Sequence, residues 1–381
     1  MKIAFTKLYF HPNHIPEYAL FDNVPQNDVL FCGYVGPRIP GSSVEFIQKA
    51  EFLPLQYGYI FPETLSHIFF RRPPSTTTPT KLLRLEESVR GSDVLISNEL
   101  YSFITSQCAR IRAQTPGVRF VVEVWETLFG LPLHWIPLYF NNCVLSKTRC
   151  DRFIAHTLRA KEYLRNWGVD DSRISVIYPG VDVETFAPTA RSKHDGFRFL
   201  FVGRFDEEKG LPLLLRAFYE SFSGDDEVEL WIRAKGDDSE TRGLIQQISR
   251  RCKVKILDFV NRERLPALMG ACDALCLPSS DKRLGPLKLW EEQFGFVLAE
   301  AMACGLPIIA TTCGAIREVV GEHNLVVAQG DIRGLANAMK LLYRDEQQAQ
   351  EISLANRDRA LLEFDITKQR QKVGQFLEEL A

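Results

Sequence analysis

The chain has 381 residues, 45% of them hydrophobic, with a formal charge of −2 and an isoelectric point near 6.4. That length suits two domains of ordinary size, and the balanced charge argues against a nucleic-acid binder, which carries a basic excess. Nine scattered cysteines with no CxxC pair suit reduced thiols in a cytoplasmic protein better than a disulfide frame or a zinc site.

The opening MKIAFTKLYF is too soon interrupted for a signal peptide. No run of about 18 apolar residues predicts a transmembrane helix. Lys2 to Thr6 reads as a buried first strand, followed by a loop, HPNHIPEY, without glycine. Asp28 to Cys32 reads as a strand, Glu45 to Ala50 as a short helix and PPSTTTP (73–79) as a loop. Lys81 to Val89 has the spacing of an amphipathic helix. Asp93 to Ser97 is strand-like, Tyr101 to Ala113 helix-like, and Arg119 to Val124 a β-branched strand. Such alternation predicts a parallel sheet covered by helices.

Ligands meet such sheets at the carboxyl ends of strands, which singles out Glu99 and the pair Trp125-Glu126. Glu126 has two readings: a group facing a reaction centre, or a charge placed at the start of the next helix. Leu128 to Arg152 is apolar and aromatic, then basic. It reads either as a membrane-surface element or as a core helix with a solvated end. Phe153 to His156 reads as a strand entering a loop, with His156 structural, and Leu158 to Trp167 as a helix stopped by Gly168.

From Ala187 to Gly196 the composition turns polar, as linkers do. A strand then runs through FRFLFVGRFDEEKG into a helix at Leu211 to Ser221. Gly203-Arg204 at the strand end and Lys209-Gly210 at the helix start make an anion site: arginine grips phosphate with two parallel bonds, lysine as a compact charge. The alternative is a set of surface ion pairs with Asp206, Glu207 and Glu208. Glu227 to Ala234, Val254 to Val260 and Ala274 to Leu277 read as strands, and Thr241 to Cys252 and Arg264 to Cys272 as helices. The next segment, DKRLGPLKLW, reads either as a cover over a ligand or as a solvated loop.

The stretch from Trp290 to Thr311, WEEQFGFVLAEAMACGLPIIAT, is the most informative. Phe296 to Cys304 is apolar on nearly every side, which predicts a helix buried all round, and Gly305 and Pro307 stop it. Glu300 lies inside that helix and needs a partner, because a lone buried carboxylate is costly: either nearby backbone, in a structural role, or a ligand. Glu292 stands eight positions earlier, a rise of about 12 Å if helical. Carboxylates so far apart suit the two ends of a long ligand, with Gly295 allowing close backbone approach and the helix start favouring phosphate. Ile316 to Val320, Asp331 to Tyr343, Gln347 to Glu363 and Ile366 to Leu380 read as helices, and Leu325 to Val327 as the last strand.

Glu292-x7-Glu300 with Phe294-Gly295, followed by EAMACGLP, resembles the signature of the family 4 retaining glycosyltransferases (glycosyl transferases group 1). The resemblance implies a GT-B fold, with two Rossmann-like doubly wound α/β domains facing across a cleft. It divides the chain into an acceptor-side domain (1–188), a donor-side domain (189–365) and a final helix (366–381) crossing back. It implies that Glu292 meets the transferred sugar, that the backbone of Phe294, Gly295, Phe296 and Val297 meets the diphosphate, and that Glu300 holds the ribose. Gly203, Arg204 and Lys209 would bind the donor diphosphate, and Asp258, Phe259 and Val260 would seat the base. Arg204 and Lys209 would also stabilise the leaving diphosphate, so that no metal or other cofactor is needed. The expected substrates are a UDP- or GDP-linked sugar and a glycan, lipid or small-molecule acceptor, with peripheral membrane contact of the first domain left open.

The chain departs from the pattern where the first loop lacks a Gly-Gly pair and where VEVWET carries no histidine, leaving Glu126 or Trp125 on that ground. Two other classes stay open: a nucleotide-sugar 2-epimerase of the same architecture, and a protein that binds a nucleotide sugar without transferring it. No Walker A loop, GxGxxG or HExxH is present, which disfavours NTP hydrolysis, dinucleotide redox chemistry and zinc proteolysis.

Overall fold

Short apolar runs alternating with helices build two open parallel sheets, one in each of two units. The computed structural model describes residues 1–10, 29–35, 51–54, 57–59, 80–189, 196–236, 238–258 and 260–381. The expectations for the glycine-free first loop, for Glu45 to Ala50 and for 73–79 lie outside the described residues. The first unit comprises Met1–Gly180 with Ile366–Ala381, and the second Val181–Asp365.

In the first unit β1 (Ile3–Phe10), β2 (Val29–Val35) and β3 (Glu51–Pro54) are followed by the short antiparallel pair β4 (Tyr57–Tyr59) and β5 (Thr80–Leu82). The main sheet continues with β6 (Val94–Asn98), β7 (Arg119–Val124), β8 (Arg152–Ala155) and β9 (Ile174–Val176). Its order is β3-β2-β1-β6-β7-β8-β9, with every pair parallel. Because side chains alternate across a strand, each strand feeds two cores. Leu95, Phe120, Val122 and Phe153 face helix α2 (Phe103–Gln114), which follows the single turn α1 (Leu85–Ser88). Val94, Ile96, Val121 and Ile154 face the other way and pack with Val373, Phe376, Leu377 and Leu380.

The expected helix from Lys81 to Val89 does not form as such. Gln107 of α2 donates to the carbonyl of Leu82 (3.0 Å) and accepts from its N–H (2.9 Å), holding that backbone extended. Arg84 then turns through the left-handed region, with φ 60°, and only α1 remains helical. The segment 128–152 becomes a 3-10 turn at Pro132–Trp135 and helix α3 (Pro137–Arg149). Tyr139, Cys143 and Ser146 of α3 are buried, while Trp135, Ile136, Phe140 and Val144 are exposed. Helix α4 (Leu158–Asn166) follows, capped by the Thr157 hydroxyl, which accepts from the Ala160 N–H.

The second unit's sheet has the order β12-β11-β10-β13-β16-β17, again parallel throughout. Its strands are β10 (Phe197–Arg204), β11 (Val228–Lys235), β12 (Lys253–Ile256), β13 (Ala274–Leu277), β16 (Ile308–Thr311) and β17 (Leu325–Val327). Between β13 and β16 the chain adds an antiparallel hairpin, β14 (Lys282–Leu284) and β15 (Leu287–Trp290). The covering helices are α5 (Leu211–Phe222), α6 (Ser239–Ile248), α7 (Leu265–Gly270), α8 (Phe296–Ala303), α9 (Ile316–Val320), α10 (Ile332–Arg344) and α11 (Glu346–Arg359). Arg357 of α11 donates to the carbonyls of Val183 (3.0 Å), Phe186 (2.9 Å) and Ala303 (2.7 Å), which holds the start of this unit in place. Helix α12 (Ile366–Leu380) then supplies the apolar residues, Val373 to Leu380, already placed in the first unit's core. Among the described residues no helix is long and apolar enough to cross a membrane.

Candidate active site

The site in the second unit is built where strands end. After β10 the chain makes a 3-10 turn, Glu207–Lys209, and enters α5 through Gly210 at φ 73°. A Cβ on Gly210 would stand 1.9 Å from the carbonyl oxygen of Pro278, so only glycine lets the helix start so close to the end of β13. This approach brings Lys209 to Glu292. The Lys209 ammonium lies 2.6 Å from Glu292 Oε2, and the Ser279 hydroxyl donates to the same oxygen at 3.0 Å. The carboxylate is buried, and its charge is met by one cation and one hydroxyl. The Lys209 ammonium also sits over the Trp290 ring, 5.0 Å from its centroid.

Arg204 is exposed and pairs with Asp206 at 2.8 Å, so for this residue the surface-pair reading describes the geometry. Lys209 instead leaves its acidic neighbours, and Glu208 is taken by Lys282 of the hairpin. Gly203 lies in β10, next to both.

Glu292 leads into the buried helix α8. Gly295 caps it at φ 78°, a conformation that L side chains rarely adopt. The Phe294 side chain turns into the core against Phe296 and Phe364, with ring centroids 5.3 and 5.6 Å away. Phe296 and Val297 begin the helix and are half-buried. One turn further on, Glu300 is buried and accepts from Arg262 Nε at 2.7 Å.

The expected strand from Val254 to Val260 ends at Ile256, and Asp258 is exposed. Phe259 lies outside the described residues. Arg233, at the end of β11, donates to the Val260 carbonyl at 2.6 Å. Burial pulls the Arg233 guanidinium below its usual range, and the nearby Glu300 charge opposes that.

The segment 281–290 is the hairpin, and its base is fastened by Asp281. That carboxylate accepts from Lys288 (2.7 Å), Arg283 (3.1 Å), Gln329 Nε2 (3.2 Å) and the Cys313 thiol (3.4 Å). Burial alone would raise its pKa, but the hydrogen bond and charge of Lys288 outweigh this and hold it below the ordinary carboxylate range.

In the first unit the carboxylates serve the backbone. Glu99, at φ 64°, accepts from the N–H groups of Trp125 (3.0 Å) and Glu126 (3.2 Å). Glu126 Oε1 accepts from the N–H groups of Thr127 and Leu128, both at 2.9 Å, which is a cap-like geometry. His156 is buried with Nδ1 2.9 Å from the Ile177 carbonyl and Nε2 3.8 Å from Glu123 Oε1, and its ring lies 4.0 Å from that of Trp125.

Sequence reasoning missed Ser279, Arg262 and Arg233. Ser279 and Arg262 follow strands β13 and β12, and Arg233 lies in the carboxyl half of β11, the end at which open α/β sheets meet ligands, and that position was the available signal.

A family model described as glycosyl transferases group 1 matches residues 182–359, and one described as glycosyltransferase family 4 matches residues 41–185. The chain belongs to the group 1, family 4 glycosyltransferases. Curated relatives in this family include a D-inositol 3-phosphate glycosyltransferase of Pseudarthrobacter chlorophenolicus, 30% identical over 210 residues, 51% of this chain and 48% of that protein. A phosphatidyl-myo-inositol mannosyltransferase of Mycobacterium leprae is 34% identical over 158 residues, 40% of this chain and 38% of its own length. The match thus spans about half or less of these relatives. Among solved structures, Anabaena HepE in complex with UDP aligns over 100% of both chains with TM-score 0.76 and 20% identity. Sucrose-phosphate synthase of Thermosynechococcus elongatus aligns over 100% of this chain and 99% of its own, with TM-score 0.72 and 20% identity. These likenesses place the family 4 chain in the GT-B fold.

Proposed function

We propose that this family 4 protein transfers a sugar from a UDP- or GDP-linked donor to a hydroxyl acceptor, with retention of anomeric configuration and without a metal. The observation that carries the reading is the pairing of Lys209 with Glu292, 2.6 Å apart at the start of the buried helix α8. A diphosphate entering there exchanges one anionic partner of Lys209 for another and frees the Glu292 carboxylate for sugar hydroxyls. Arg204, exposed on the neighbouring strand end, adds a second cation. Preorganised cations stabilise the charge that develops on a departing nucleoside diphosphate, the task a metal performs elsewhere. Glu300, paired with Arg262, receives the ribose, and the backbone at Asp258 to Val260 the base. The complex of HepE with UDP supports a uridine donor, as does its complex with UDP-glucose.

The test is calorimetric titration with UDP, GDP and ADP in the presence of EDTA, followed by transfer assays. One nucleotide is expected to bind, with that binding lost in Arg204→Ala. Glu292→Ala should lower turnover more than nucleotide affinity. The reading falls if none of the three nucleotides binds.

A further inference from the structure

We propose that Trp290 is a positioning residue: its ring holds the Lys209 ammonium over the diphosphate site, through a hairpin built to place it there. The proposal rests on the donor site described above and goes beyond it.

The hairpin is tied to the turn that carries Lys209 at three points. The Ser280 N–H donates to the Glu208 carbonyl at 2.8 Å, Lys282 binds the Glu208 carboxylate, and the Lys209 ammonium lies 5.0 Å from the Trp290 centroid. Its own base is fastened by side-chain bonds. The Asp281 carboxylate is buried among Lys288, Gln329 and Cys313, its N–H donates to Gln329 Oε1 at 2.8 Å, and Lys288 reaches on to Glu291 at 2.9 Å. Trp290 therefore sits at the end of a braced strand and not on a free loop.

The chemistry of the contact explains why an aromatic residue stands there. Lysine is a flexible point charge, and each partner narrows the positions its ammonium can take. Glu292 is one, but a carboxylate competes with an incoming phosphate for the same charge. An aromatic face attracts a cation without neutralising it. On arrival of a diphosphate, the ammonium can turn from Glu292 to the phosphate while keeping the ring beneath it.

The experiment is titration of wild type, Trp290→Leu, Trp290→Met and Trp290→Phe with a nucleoside diphosphate and with its monophosphate, alongside thermal unfolding. Trp290→Leu and Trp290→Met should weaken the diphosphate about three- to tenfold, the range of a cation–π contact, and leave the monophosphate unchanged. Trp290→Phe should keep most of the affinity. In a Lys209→Met background Trp290→Leu should have no further effect. Equal loss of mono- and diphosphate binding, a Phe variant as weak as Leu, or wild-type affinity in Trp290→Leu overturns the proposal while leaving the donor site standing. Failure of the wild type to bind any nucleotide overturns both.

Discussion

The Lys209 ammonium and the Glu292 carboxylate, 83 positions apart in the chain, meet at 2.6 Å with Ser279 completing the contact. Removing one partner of a buried pair strands the other charge. Lys209→Met is therefore expected to lower stability by about 3 kcal/mol. Adding Glu292→Gln should recover most of that and none of the nucleotide affinity. Denaturant unfolding of the two variants checks it, and a double variant no more stable than the single one argues against the pairing.

In the proposed donor complex Glu300 is a charged acceptor for a ribose hydroxyl, worth about ten- to hundredfold in affinity. Glu300→Gln should weaken a nucleoside monophosphate by that amount, because the loss lies in ribose contacts and not in phosphate contacts. Unchanged monophosphate affinity would place the ribose elsewhere.

The Thr127 and Leu128 N–H groups share one oxygen of Glu126, and an amide oxygen can accept both, though less strongly than a carboxylate. Glu126→Gln is expected to keep transfer activity, while Glu126→Ala leaves two loop N–H groups without their acceptor and lowers stability by about 1–3 kcal/mol. Loss of turnover in the Gln variant, with stability intact, would restore a chemical role to the carboxylate.

His134 is buried beside Tyr163 and Trp167, with Nε2 3.4 Å from the Tyr163 hydroxyl. Burial lowers its pKa from 6.5 to about 4. The unfolded chain then takes up a proton that the folded one refuses, so stability falls as pH drops from 6.5 toward 4 and is fully present above that window. The loss amounts to about 3 kcal/mol at about 1.4 kcal/mol per unit. His134→Phe should flatten this slope in urea titrations taken between pH 7 and pH 4.

Local pattern made much of the fold readable. Ala274 to Leu277, Ile316 to Val320 and Leu325 to Val327 have the same bounds in the sequence reading and in the structure: the first and last are short apolar runs bounded by Pro278 and Asn324, and the helix lies between Gly314 and Gly321. The all-round apolar character of Phe296 to Cys304 likewise announced a buried helix. Partnerships across elements were not readable. That Glu300 needed a partner followed from burial, but Arg262 lies 38 positions away and nothing local names it. The Lys81 to Val89 segment shows tertiary override: its helical spacing yields to the Gln107 side chain reaching from α2. The hairpin at 282–290 was hidden because its order comes from a charge cluster around Asp281, not from its own alternation.

Helix α12 has a consequence for how the chain is made. One face of the first sheet, with Ile3, Phe5, Val94, Ile96, Val121 and Ile154, is closed by residues from Val373 onward. During synthesis that apolar face emerges early and waits while the whole second unit is translated. The first unit is thus completed only after the second has been translated, and for that interval it carries an uncovered apolar face of the kind that promotes aggregation.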